Sequence, residues 1–286
     1  MLTLNLTGTG VPLGLQVLSK TSAELVTVTE AYSKAYDDLL KPRGESEALD
    51  RIGELCEPWL LERLEEREEG RPRQPADLGQ PHNVRSLLGL IERAEGASQP
   101  GGALERLISA MTLQGGQGCS VELAGAKGFR RCLIKAQEDY GGDFLSINDV
   151  ARCTVVVPKL SVLAECLRWL VEEAHAWAKD DIELPSFEPL MAKDRLSPSF
   201  DAEGTGMYRY VLLVGRMKCD GINAYLNVEV QFHVKRLFEL KKKLGMLYEG
   251  RTLLGADEDE VQLHEGALTE VALERVSKGM VRRVIC

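Results

Sequence analysis

Four cations cluster in the stretch GAKGFRRCLIKAQEDYGG, and their spacing suits the binding of a polyphosphate. Lys127, Arg131 and Lys135 follow one another at i, i+4 and i+8, and Arg130 is one helical neighbour away. A helix over this stretch would place all four on one stripe. A solvent-exposed basic face is the alternative interpretation. The chain carries a formal net charge of -9, and positive charge concentrated in an acidic protein favours an anion-binding role.

Two carboxylates are candidates for binding a divalent cation. Asp149 lies just before the strand-like sequence CTVVV, with Arg152 three residues further on, and Glu229 lies in the alternating sequence YLNVEVQFHV. That alternation puts Glu229, Gln231 and His233 on the polar face of a strand. If the two strands are neighbours, the carboxylates can converge on a hard cation, and without one they repel each other. A turn residue and an exposed strand position are the simpler interpretations.

The residues before about position 115 are predicted to form a helical region. Leu60, Leu61 and Leu64 give one helix an apolar edge, and Asn83 is a candidate N-cap for the helix that begins VRSLLGLIERAEG. The stretch 65–81 between them is polar and contains glycine and three prolines. Such a composition predicts an exposed linker.

The sequence after about residue 121 predicts an α+β fold with a mixed sheet. Strands are expected at 153–157, 208–214 and 224–234, because β-branched and apolar residues dominate there. An amphipathic helix is expected at 162–178, a long helix after the third strand, and a further helix after the acidic turn ADEDE. The intervening stretch 180–206 is long and rich in proline, which predicts an irregular loop.

Composition excludes several classes of protein. The 286 residues are 44% hydrophobic, which excludes disorder of the whole chain. Seven scattered cysteines without a C-x-x-C pair indicate neither a disulfide framework nor a zinc site. No apolar stretch approaches the roughly 20 residues of a membrane helix, and the first residues do not form a signal peptide, so we expect no membrane partner and a cytoplasmic location.

Several motifs, taken in chain order, resemble the RelA/SpoT-type synthetase domain of the nucleotidyltransferase superfamily. The resemblance covers residues 121–255, under half of the chain, and rests on the order and spacing of the motifs together. They are Lys127, Arg130 and Lys135 in K-x-x-R-x-x-x-x-K, IND before a Val-rich strand, Tyr208 and Arg209 in MYRYVLLV, Glu229 and Gln231 in VEVQFHVKRL, and LKKKLGMLYEGRTL.

The resemblance implies a fold and a reaction. It implies a nucleotidyltransferase-like domain over 116–286 with a C-terminal helix, preceded by the helical region 1–115. Members of this family transfer pyrophosphate from ATP to a 3'-hydroxyl, usually of GDP or GTP, to make alarmone nucleotides. Some toxin-like relatives instead use adenine nucleotides or the 3' end of tRNA. The implied cofactor is Mg2+, and the implied chemistry is mainly positioning and charge neutralisation.

The resemblance also implies a role for each matching residue. The site residues that it assigns are Lys127, Arg130, Arg131 and Lys135 for the phosphates of ATP, Asp149 and Glu229 for magnesium, Tyr208 for stacking on the acceptor base, and Arg152, Arg209 and Gln231 for the same cleft, with Gln231 beside the catalytic carboxylates. The chain departs from the family at Tyr210 and Met246, and its Asp149 segment lacks the glycine of the longer bacterial version of that motif. These changes fall on the acceptor side more than on the phosphate and metal side. The alternative function is therefore a degenerate module that binds a nucleotide or, through its N-terminal helices, a protein partner.

Overall fold

The computed structural model describes residues 13–66, 70–115, 117–174, 185–202, 208–219 and 224–253. These residues belong to two compact units, one spanning 37–236 and one formed by the segments on either side of it. The helices are α1 (Leu13–Leu39), α2 (Glu45–Cys56), α3 (Leu61–Glu66), α4 (Val84–Ser98), α5 (Ala103–Gly115), α6 (Phe129–Tyr140), α7 (Leu160–Arg168) and α8 (Lys235–Leu253). No helix among these residues is long and apolar enough to cross a membrane.

A mixed sheet forms the centre of the larger unit. Its strands are β1 (Ser120–Ala124), β2 (Ala151–Val157), β3 (Phe187–Asp194), β4 (Val211–Lys218) and β5 (Tyr225–Val234). Their order is β1-β2-β5-β4-β3, with β2 and β5 parallel and the other pairs antiparallel. The α+β prediction is confirmed, and the three predicted strand segments are neighbours in one sheet.

The register of the sheet aligns residues from four strands in two adjacent rows. One row runs from Arg152 on β2 through Glu229 on β5 and Val214 on β4 to Met191 on β3. The next row runs through Gln231, Leu212 and Lys193 on β5, β4 and β3. Paired residues on neighbouring strands project from the same face of a sheet, so both rows contribute to one surface.

The helical prediction for the first part of the chain is confirmed within the described residues up to 115. Asn83 caps α4, because its side-chain oxygen accepts a hydrogen bond from the backbone N–H of Arg85 at 2.9 Å. The apolar side of α4 includes Leu87 and Leu90, which are fully buried. In these ranges the sole extended pairing is one isolated bridge between Leu60 and Ala192.

Several predicted boundaries are wrong, for identifiable reasons. The stretch 180–206 is not wholly irregular, since β3 lies within it. This strand is at the edge of the sheet, where Pro189 is tolerated beside a bulge between Pro189 and Met191. The strand predicted at 208–214 begins only at Val211, and the helix predicted at 162–178 changes at Trp169 into the π-helix Trp169–Glu173. The sequence pattern did not predict strand β1.

The predicted linker 65–81 is also not simply exposed. Gln74 in its centre is almost fully buried and forms hydrogen bonds to distant parts of the chain. Other predictions fall outside the described residues. They are the helix after ADEDE, the end of the 162–178 helix and the side chain of Met246.

Candidate functional site

Asp149 is the centre of the predicted site, and two of the predicted lysines bind it. Its Oδ2 accepts hydrogen bonds from the Nζ of Lys127 and, at 3.0 Å, from the Nζ of Lys135. Lys127 does not lie on the helix, as its predicted spacing required, because α6 begins at Phe129. Its backbone N–H instead donates to the carbonyl of Val150 at 2.9 Å, which holds Lys127 beside the start of β2.

The charge of Asp149 is therefore largely compensated. Burial opposes ionisation of this carboxyl, but the hydrogen bond from Lys127 and the charges of Lys127 and Lys135 outweigh it, so its pKa is lower than that of an ordinary Asp. Burial likewise opposes the charge of Lys135, but Asp149 outweighs it and raises the pKa of that lysine. The other oxygen, Asp149 Oδ1, is buried and has no hydrogen-bond partner among the described residues. A ligand that reached this oxygen would satisfy it as an acceptor.

Glu229 lies in the same cleft and is less well compensated. Burial raises its pKa above that of an ordinary Glu; the hydrogen bond from Gln231 opposes this shift and the charge of Asp149 adds to it. The Gln231 amide donates to Glu229 Oε1 at 2.6 Å, and the Nε2 of His233 lies 3.4 Å from Gln231 Oε1. Since an amide oxygen only accepts, the imidazole is the donor in that contact. The polar strand face is thus a hydrogen-bonded line that ends at Glu229.

His233 is buried in this line rather than exposed. Only 1% of its surface is accessible, and its ring stacks on Tyr210 with 4.9 Å between centroids. The guanidinium of Arg195 lies over the Tyr210 ring at 5.0 Å. Tyr210, at which the chain departs from the family pattern, therefore packs against His233, the residue that contacts Gln231.

The structure brings some of the other predicted residues to the cleft and places others elsewhere. Arg152 lies directly beside Glu229 in the sheet, and its charge opposes the raised pKa of that carboxyl. Arg130 and Arg131 are exposed in the first turn of α6 and are not among the residues that line the cleft. Their proposed role in binding phosphate stays a prediction.

Tyr208 and Arg209 lie on the segment that leads into β4. Tyr208 is half-buried against the apolar cluster that contains Met191 and Leu212. The Arg209 guanidinium donates hydrogen bonds to the backbone carbonyls of Ser197 at 2.9 Å and Phe200 at 3.3 Å. Arg209 thereby holds the loop that follows β3, and its role in ligand binding stays a prediction.

Sequence reasoning missed two cations that lie in the cleft. Arg71 comes from the predicted linker and Lys193 from the unpredicted strand β3. The cleft that contains them is lined by Leu61, Arg71, Lys135, Tyr140, Ser146, Asn148, Asp149, Met191, Lys193, Leu212, Val214 and Glu229. Neither Arg71 nor Lys193 was detectable as a site residue, because no strand or buried segment was expected around it.

The carboxylates that line the cleft, Asp149 and Glu229, are the groups there that could hold a metal ion. No group of three or more His, Cys, Asp or Glu in the described ranges is arranged to hold a metal. Two carboxylates, one with an unpartnered buried oxygen, still suit Mg2+, which is commonly held by one or two protein carboxylates together with phosphate oxygens and water. The chemistry of the two carboxylates therefore fits a magnesium ion.

Comparison with solved structures finds proteins of the type that the motifs resemble. The small alarmone synthetase 1 of Bacillus subtilis, crystallised with its product pppGpp, has a TM-score of 0.37 and 16% identity over 55% of this chain and 75% of its own. The small alarmone synthetase 2 of the same organism has a TM-score of 0.40 and 14% identity, over 68% of this chain and 96% of its own. A GTP pyrophosphokinase family protein of Streptococcus pneumoniae has a TM-score of 0.37 and 15% identity, over 71% of this chain and 89% of its own.

These similarities are too distant to carry a functional argument. No protein-family model matches the chain, and no curated protein sequence does. Functional conclusions therefore rest on the residues of the cleft and their contacts.

Proposed function

We propose that this protein is a magnesium-dependent pyrophosphokinase that transfers pyrophosphate from ATP to the 3'-hydroxyl of a nucleotide acceptor. The observation that supports this most is the meeting of Lys127 and Lys135 on Asp149, just before the start of β2, in a cleft that Glu229 lines from the middle of the parallel strand β5. A site with two lysines, one carboxylate oxygen without a partner and a second carboxylate suits phosphate and a divalent cation together.

The lysines would bind the phosphates of ATP. The side chains of Lys127 and Lys135 are 13% and 28% exposed, so their charges act in a partly desolvated cleft where electrostatic interactions are stronger than in water. They share Asp149, and Lys135 has a second, weaker partner in Asp139 at 3.9 Å. Arg152 pairs with Glu229 on the neighbouring strand and adds a third cation on the same face of the sheet.

Magnesium would be held by Asp149 Oδ1 and by Glu229. When bound, the ion would neutralise phosphate charge and help to align the reacting groups. Because two ammonium groups already compensate Asp149, the affinity for magnesium alone should be low. Phosphate oxygens would supply the missing ligands, so metal and ATP should bind together.

In the reaction, the 3'-oxygen of the acceptor bonds to the β-phosphorus of ATP, and the proton of the hydroxyl group passes to the solvent. The bond between that phosphorus and the oxygen bridging to the α-phosphate breaks, and AMP leaves. The protein contributes position and charge, since phosphoryl transfer needs little covalent chemistry from side chains. Gln231 holds one oxygen of Glu229 at 2.6 Å and thereby fixes the direction of that carboxylate.

The test is to incubate the protein with ATP, magnesium and one acceptor at a time, and to measure AMP. The acceptors are GDP, GTP, ADP and deacylated tRNA. We expect AMP to appear only with an acceptor and with magnesium. Lys127→Met and Lys135→Met should each weaken ATP binding about 10- to 100-fold, the worth of one charge-assisted hydrogen bond. Lys218→Met, at an exposed position of β4, is the matched control.

The outcomes separate the two candidate functions. Binding of ATP without AMP release under every condition would support the degenerate nucleotide-binding module instead. Absence of ATP binding in the unmodified protein would contradict both functions.

A further inference from the structure

Cys119 and Cys166 are in side-chain contact, although they are far apart in the sequence. Cys119 comes just before β1, and Cys166 lies on α7. Their thiols share a hydrogen bond, and both are free cysteines in this structure. The chain has no C-x-x-C pair, so it is the fold that brings these two sulfur atoms together. Contact between two thiols is the first requirement for an intramolecular disulfide.

The chain on both sides of Cys119 is attached to the segment that leads into α7. Gly118 lies against Pro158, because a Cβ added to this glycine would be 3.6 Å from the Cγ of the proline. Ser120 pairs with Val156 in the antiparallel register of β1 and β2. Cys119 is therefore held in place by the neighbour that precedes it and by the neighbour that follows it.

Cys166 is positioned by the packing of α5 against α7. A Cβ added to Gly115, at the end of α5, would lie 3.2 Å from the Cβ of Glu165 and 3.3 Å from its carbonyl carbon. The two helices are thus in close contact directly beside Cys166, which is itself fully buried. In a close-packed interior such contacts leave a side chain little room to move. The two sulfur atoms therefore stay close together while the protein is folded.

The two thiols differ in accessibility and in acidity. Cys119 is half-buried, whereas Cys166 is fully buried. The hydrogen bond from Cys166 lowers the pKa of Cys119, and burial opposes this shift. The same hydrogen bond, together with burial, raises the pKa of Cys166. Since the thiolate is the nucleophile in thiol–disulfide exchange, Cys119 is the sulfur suited to react first with a reagent from solution.

Burial distinguishes Cys119 from the other cysteines in the described ranges. Cys56, Cys132, Cys153 and Cys219 are all buried. Burial raises the pKa of the first three of these thiols. A buried thiol with a raised pKa is a poor nucleophile, because little thiolate is present and a reagent does not reach it.

We propose that Cys119 and Cys166 form a reversible disulfide by exchange with a small-molecule disulfide such as oxidised glutathione. The Cys119 sulfur bonds to one sulfur of the reagent, the S–S bond of the reagent breaks, and one glutathione leaves. The Cys166 sulfur then bonds to Cys119 and displaces the second glutathione. Each departing thiolate takes up the proton that the attacking cysteine released. Two protein thiols are thereby oxidised and one reagent disulfide is reduced to two thiols.

The new bond would close a loop of the chain that contains Lys127, Lys135 and Asp149. Closing a loop restricts the unfolded chain, which stabilises the folded protein. The redox state of the two cysteines would thus act on the part of the chain that carries the residues of the cleft. The formation of the bond does not depend on the proposed function.

The test measures the thiols of the folded protein directly. The reduced protein is incubated with oxidised glutathione, quenched with acid, alkylated in urea, and analysed by intact mass and peptide mapping. We expect the loss of two alkylatable thiols and a peptide pair joined through Cys119 and Cys166. Cys166→Ser and Cys166→Ala should each stop at a mixed disulfide with one glutathione on Cys119, and Cys119→Ser should form neither product. Cys219→Ser is the matched control and should form the same bond as the unmodified protein.

A parallel reaction in urea, where every thiol is accessible, shows that the reagent is active. The inference is overturned if the folded protein keeps all its thiols while the unfolded protein reacts, or if Cys119→Ser still loses two thiols. It is also overturned if mapping joins a different pair, including one with Cys286, which lies outside the described residues. In the folded protein Cys119 should react about 10-fold or more faster than Cys56 and Cys153, and equal rates would contradict the order of attack.

Discussion

Replacing Asp149 with Asn should destabilise the protein although it preserves the shape of the side chain. The Asp149 side chain is 11% exposed and is bound by Lys127 and Lys135. Removing one member of a buried ion pair costs about 3–5 kcal/mol, because the partner charge stays buried. Lys135 keeps a weaker partner in Asp139 at 3.9 Å, and Asn retains an acceptor oxygen. We therefore expect a loss of about 3 kcal/mol in the free energy of unfolding.

The pH dependence gives this prediction a sign. The pKa of Asp149 is lower in the folded protein than in the unfolded chain, so its contribution is present above the unfolded pKa of about 3.9 and is lost as the pH falls through the folded pKa. Urea denaturation in steps from pH 6 to pH 3 measures this. The difference between the unmodified protein and Asp149→Asn should stay constant above about pH 5 and shrink below about pH 4.

Glu229→Gln is the matched control and should act in the opposite direction. Because burial raises the pKa of Glu229, its ionised form costs stability above the folded pKa, and this cost disappears below the unfolded value of about 4.3. Glu229→Gln should therefore unfold at an equal or higher urea concentration at pH 6. The reasoning is refuted if Asp149→Asn is as stable as the unmodified protein at pH 6, or if Glu229→Gln loses as much stability as Asp149→Asn.

Three further substitutions test how the site is supported, each by urea denaturation. Gln74→Ala should lower the free energy of unfolding by about 2–4 kcal/mol, because it removes the partners of buried backbone groups of Asn227 and Ile147. A loss below about 1 kcal/mol would contradict the view that Gln74 anchors its segment. Gly215→Ala should cost about 3 kcal/mol, since the added Cβ would lie 2.0 Å from the ring of the buried Phe187; unchanged stability would show that the ring can move. Loss of the cap in Asn83→Ala should cost about 1 kcal/mol, and no change would mean that α4 does not need it.

Local patterns were sufficient to predict the strands that carry Arg152, Glu229 and Gln231. The alternation in 224–234 predicted β5, and the β-branched run in 153–157 predicted most of β2. Such patterns reflect burial of one or both strand faces, which depends little on the rest of the chain. Asn83 was predictable for a similar reason, since a cap acts on the N–H groups of its own first turn.

Arg71 and Lys193 were not predictable as site residues, because long-range contacts decide the structure of the segments that carry them. Pro189 marks the stretch around it as irregular, yet an edge strand tolerates proline on its unpaired side. The predicted linker has the composition of a loop, and it is loop-like in its own conformation. What fixes it are the hydrogen bonds of Gln74 and Asn227, which are 153 positions apart in sequence. Arg71 and Lys193 were missed together with the elements that position them.

Tyr210 shows how a departure from a family pattern can belong to the same network as the residues that match it. In the sequence, Tyr210 differs from the family pattern and Glu229 matches it. The two residues would therefore be judged independently of each other. In the structure Tyr210 stacks on His233, the imidazole contacts Gln231, and Gln231 donates to Glu229. A change at Tyr210 would therefore alter the support of the carboxylate through two side chains. The position of Glu229 therefore depends on the whole line of contacts from Tyr210 to Glu229. The number of residues that match the family pattern does not describe these contacts.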